Sequence, residues 1–141
     1  MELIPDIERL TQIFSNAVAP SFFLGAVAGF TSLMMSRLTA VNERMKATRA
    51  LSNQDRNAVG NSLALGSFKR RARLLSDGII SSLSGGVCTT LLLAALFASQ
   101  FFGLHHVYGA GLLFFIATLL LGFALFRFAQ EAWLARREWE E

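Results

Sequence analysis

Two stretches of this sequence carry no charged residue, one from Leu10 to Ser36 and one from Gly78 to Phe126. A fold that meets water on its surface interleaves charge with apolar residues. A chain that keeps the two apart over such lengths has a different solvent. Crossing the hydrocarbon core of a bilayer takes roughly 20 apolar residues in helical form. The first stretch is long enough for one crossing and the second for two. Composition points the same way: 53% of residues are hydrophobic and 16% charged, against about 25% charged in a soluble domain. The expected fold is all-α, a polytopic membrane protein with three transmembrane helices, an N-terminal interfacial helix and a basic cytosolic helical hairpin. All of residues 1–141 form one membrane domain.

Residues 1–19 have the recurrence of an amphipathic helix, with Leu3, Ile7, Leu10, Phe14 and Val18 on one side and Glu8, Arg9, Gln12 and Asn16 on the other. Such a segment lies in the membrane interface or serves as a plain lead-in to the first span. The start is acidic and lacks the positive region of a cleavable signal, so the first span is expected to be retained. Pro20 predicts a bend before that span, which runs over 20–38. Gly25 and Gly29 are one turn apart, and Ser21, Ser32 and Ser36 extend the small-residue face. In lipid, small residues let helix backbones approach closely. Arg37 ends the span, either as an anchor that snorkels to the interface or as a charge at the mouth of a pathway.

Residues 39–77 form the long polar segment. Leu38, Val41, Met45 and Leu51 continue a helical period, 52–66 reads as a loose connection rich in Asn, Ser and Gly, and Arg70, Arg71 and Arg73 precede the second span. From Arg37 to Asp77 there are nine basic and three acidic residues. Basic loops stay in the cytoplasm, so the amino terminus is expected outside and the carboxyl terminus inside. The segment reads as a hairpin whose arms prolong spans one and two. The second span, 79–102, carries a ridge of small residues at Ser82, Gly86 and Thr90 that could meet the glycine face of span one. His105 and His106 lie in the turn before the third span; metal binding or pH sensing is weighed there against simple capping of the turn. The third span, 110–128, is Leu- and Phe-rich nearly all round, which suits lipid contact. The tail, 129–141, has the two tryptophans of an interfacial helix.

The catalytic chemistry expected of a membrane enzyme is missing from the pattern. No charged residue falls inside a span, and no metalloprotease, phosphate-loop or triad motif is present, so no enzyme, metal or cofactor is expected. The single cysteine, Cys88, excludes an internal disulfide. The arginines beside the membrane are explained by topology and by anionic headgroups before nucleic acid. Lipid is therefore the expected partner, together with further copies of the chain.

The sequence resembles a family in two places. Pro20-Ser21-Phe22-Phe23-Leu24, followed by Arg37-Leu38 and Glu43-Arg44-Met45-Lys46, is similar to a first span with a basic repeat behind it. Arg70-Arg71-Ala72-Arg73-Leu74-Leu75 is similar to a basic motif before a second span. The order of features resembles a bacterial family of short three-span membrane proteins described as a domain of unknown function. Ala40 departs from the pattern, which calls for a further basic residue. The resemblance implies a bacterial inner-membrane protein and brings no activity. The functional expectation is a homo-oligomer with span one at its axis, acting as an ion channel. Ser21, Gly25, Ser32 and Ser36 would line it, and Arg37 and Arg44 would ring its mouth. The alternative is a non-conducting scaffold whose basic hairpin binds a protein or anionic lipid.

Overall fold

The computed structural model describes residues 3–53, 58–102 and 107–140. They form three helices: α1, Leu3–Ser52; α2, Ala58–Phe102; and α3, Val107–Glu140. Each is long and apolar enough to cross a membrane, and the chain is a multi-pass integral membrane protein. The helix is forced on these segments, because in lipid a spanning backbone must satisfy its own N–H and C=O groups. Serine and threonine hydroxyls follow the same rule: Thr39 donates to the Met35 carbonyl at 3.0 Å and Thr118 to that of Phe114 at 2.8 Å, one turn back.

With 50, 45 and 34 residues, the helices are about 75, 68 and 51 Å long. The hydrocarbon core is about 30 Å thick. All three therefore overshoot it, and α2 and α3 do so mainly at the end where α1 turns into α2.

Two local expectations concern interruptions of the helices. α1 continues through Pro20 without interruption, so the bend expected there is not a break in the helix. Proline removes only one backbone donor, and membrane helices tolerate that loss. The stretch expected to be loose is helical from Ala58 onward, through Gly60 and Gly66. Glycine costs a helix about 1 kcal/mol per residue. Extending an existing helix is cheap compared with nucleating one, and the packed segment that follows is a helix to extend. The Asn53 N–H closes the end of α1 on the Arg49 carbonyl at 3.3 Å. The segment 54–57 and the histidine turn, 103–106, lie outside the described residues.

α2 is the middle helix, with α1 and α3 packed along it. The core sits toward the polar end, where Met34 and Val41 of α1, Leu75 and Ile79 of α2 and Ala124 of α3 are buried together. Phe30 and Phe128 flank it, edge to face at 5.4 Å. Nearer the other end, Phe23 and Phe114 join α1 to α3 at 5.6 Å. Small residues set the spacing of α2 from its neighbours. A Cβ at Gly85 would lie 3.1 Å from the Ala117 carbonyl oxygen, and one at Gly86 would lie 3.2 Å from Val27 Cγ1. Ser81 donates to the Leu120 carbonyl at 2.7 Å, and Thr31 and Ser82 share a hydrogen bond of 3.0 Å. Large apolar residues remain exposed along the spans, Phe22, Ile80 and Leu112 among them, as a lipid-facing surface requires.

Candidate functional site

The polar end of the bundle is closed by a cluster of ionic side chains. Glu131 of α3 has no solvent exposure. Its Oε1 accepts from Arg71 Nη2 at 2.9 Å and Nε at 3.1 Å, and its Oε2 accepts from Arg37 Nη1 at 3.0 Å. Arg71 also donates from Nη1 to Glu138 Oε2 at 2.9 Å, and the Ser67 hydroxyl donates to the same carboxylate. Arg37 lies over the Phe128 ring, 5.3 Å from its centroid. Two guanidinium groups thus meet two carboxylates, and one carboxylate links all three helices. Such a cluster fixes register, because removing one partner strands a buried charge.

The sequence gives one hint of this cluster. Glu131 and Glu138 are seven residues apart, on one face of a helix. Reading the tail only as an interfacial segment misses their common target on α2.

Of the residues singled out for a charged ring or lipid contact, Arg37 and Arg71 are therefore engaged inside the protomer. Arg44, Arg70 and Arg73 are exposed. Arg70 and Arg73 line a cleft of about 450 Å³ between α2 and α3, which Arg127 and Arg137 also line.

The small residues divide as well. Ser21, Gly25, Gly29, Ser32 and Ser36 are all exposed on α1, and a Cβ at Gly25 or Gly29 would meet nothing within 4 Å. Gly86 is the exception, facing Val27 within the protomer. The two small-residue faces do not meet each other as expected. α1 instead presents Val27 and Met34 to α2, with large side chains filling the space above small ones. At about 100° per residue, Met34 lies roughly 200° round α1 from Ser32, so the stripe looks away from α2 and α3.

Arg37 and Arg44 lie about 140° and 120° from Ser32 and do not share its face. Glu43, about 20° away, continues the stripe into the polar end. Ser21 donates to the Ala17 carbonyl at 2.7 Å. Among the described residues, the Ser32 and Ser36 hydroxyls make no hydrogen bond.

This combination of three long apolar helices, a basic hairpin and a helical tail matches one family model. It is described as "Protein of unknown function (DUF2721)", and it covers residues 17–140. The chain belongs to the DUF2721 family. The matched region includes the stripe, the ionic cluster and the arginine cleft, so all three fall within the DUF2721 segment. Neither a curated protein nor a solved structure matches the chain.

Proposed function

We propose that this membrane protein assembles with copies of itself through the outer stripe of α1, and that the assembly is a pore. One observation carries the reading: Ser21, Gly25, Gly29, Ser32 and Ser36 form an exposed small and polar face, with nothing within 4 Å of a Cβ at Gly25 or Gly29. The Ser32 and Ser36 hydroxyls, unpaired among the described residues, can bond to water or to another chain, as serines at helix contacts in membranes do. An axis lined by α1 supplies both, with α3 outermost.

The charge at the mouth differs from a simple basic ring. Arg37 is held by Glu131, and Glu43 is the charged residue that continues the stripe. An anion preference resting on Arg37 therefore has no support, and an acidic ring at Glu43 favours cations. The excess of basic residues between Arg37 and Asp77 supports a cytoplasmic polar end and an outside amino terminus. The basic residues and the family resemblance together support the bacterial inner membrane as the location. No catalytic role is proposed.

The test is conductance of the purified protein in planar bilayers, with cysteine crosslinking at Gly25 and Ser32. Self-crosslinks together with a conductance reduced by Ser32→Leu support the pore. Self-crosslinks without conductance leave the second reading, a non-conducting scaffold that holds a protein partner at its basic end. The exposure of Arg44 favours that alternative. Absence of self-crosslinks removes the assembly altogether.

A further inference from the structure

Adjacent arginines at the polar end have opposite fates. Arg71 is buried and fully paired. Arg70 beside it faces the cleft between α2 and α3, as do Arg73 from α2 and Arg127 and Arg137 from α3. Among the described residues none of these four makes a salt bridge, and Asp77 is the one carboxylate lining the cleft. Two of them are held by aromatic rings rather than by anions. Arg127 lies over Phe123 at 5.0 Å and Arg137 over Trp133 at 4.7 Å. A guanidinium stacked on a ring keeps its edge N–H groups free to donate.

Burial adds a second, independent sign. Arg127 Nε and Gln130 Oε1 are shielded from solvent and have no hydrogen-bond partner among the described residues. Buried polar atoms are almost always satisfied, so a donor and an acceptor left without partners in the wall of an open cleft point to water or a ligand there. That ligand must accept from guanidinium groups and also offer a donor to an amide oxygen. A phosphate ester carrying a hydroxyl does both.

The level of the cleft says where that phosphate comes from. Asp77 is the last charged residue before the uncharged run 78–126, and Arg127 is the first after it. The cleft therefore opens at the boundary between hydrocarbon and headgroups. Trp133 is 61% exposed beside it, as suits a residue at lipid headgroup depth. A volume of about 450 Å³ lies within the roughly 300–1,000 Å³ of small-ligand sites.

We propose that this cleft binds the headgroup of an anionic phospholipid. Arg73 and Arg127, nearer the apolar run, grip the phosphate in the two-pronged manner open to arginine. Arg70 and Arg137 lie further out, toward the rest of the headgroup. The site lies on a different face from the α1 stripe and stands whether or not copies of the chain assemble.

The experiment uses the full chain in nanodiscs of phosphatidylcholine, with or without phosphatidylglycerol, and counts retained lipid by native mass spectrometry. The expected result is selective retention of phosphatidylglycerol. It should fall roughly tenfold or more in the R73Q/R127Q double variant, and R44Q, which removes an exposed arginine of α1, should leave it unchanged. The R70Q/R137Q variant should weaken retention too, and it provides a second reading if R73Q/R127Q does not fold. Equal retention of the two lipids overturns the proposal, as does an R44Q loss matching that of R73Q/R127Q. Full displacement of the lipid by millimolar inorganic phosphate also overturns it, because the site then belongs to a soluble anion.

Discussion

Gly85 on α2 and Gly25 on α1 are the same residue in the same kind of helix, yet their surroundings are opposites. A methyl group at Gly85 would press on the Ala117 backbone at 3.1 Å, while one at Gly25 would meet nothing within 4 Å. The neighbouring polar residues divide in the same way. Ser82 of α2 is buried and bonded to Thr31, whereas Ser32 of α1 is exposed. The inner seam is thus already in use, holding α2 between its neighbours. The outer stripe has the same chemistry and no use inside the protomer. Small residues in a membrane helix mark a contact without saying whether the partner is in the same chain.

The comparison breaks hardest at the ionic cluster that locks the inner seam. Glu131→Ala leaves Arg71 buried beside no counter-charge from α3 except Glu138. The expected loss is about 3–5 kcal/mol of protomer stability, read by reversible unfolding in detergent micelles. An unchanged stability would mean that the cluster does not hold the helices together.

Next in size is Gly85→Leu. The contact on the far side is backbone, which cannot swing away, so overpacking should cost about 1–3 kcal/mol. Ser82→Ala should cost less, about 0.6 kcal/mol for one interhelical hydrogen bond in a membrane; the same unfolding assay checks it.

The smallest effect on stability is expected at Gly25→Leu, within about 0.5 kcal/mol. Its effect should appear instead as loss of self-association, measured by energy transfer between labelled copies in vesicles. If Gly25→Leu destabilises the protomer as much as Gly85→Leu, the distinction between a used and an unused face fails.

Much of this was readable beforehand. The uncharged runs 10–36 and 78–126 require three helices, since continuous apolar runs of this length lack the polar alternation of a membrane barrel, and a helix is the other structure that hides its backbone in lipid. The four-residue steps from Ser21 to Gly25 and from Ser32 to Ser36 place those residues on one face from periodicity alone. The same arithmetic separates Arg37 from that face, though its partner could not be named in advance. Glu131 is 94 residues further along the chain, and their meeting depends on the azimuth and register of two helices that make few contacts with each other. The helical 58–66 segment was hidden for a related reason. Its glycines argue locally for a turn, and the packing of the following residues overrides them.

Charge spacing and hydropathy thus account for the solvent of this protein and for its helices, because a bilayer imposes the same demand on every backbone group. Which arginines are neutralised and which stand open, and which small residues are covered, followed from how the three helices are rotated against each other. That rotation depends on side chains brought together from distant parts of the chain: Met34 over Gly78, Val27 over Gly86, and Glu131 between two arginines.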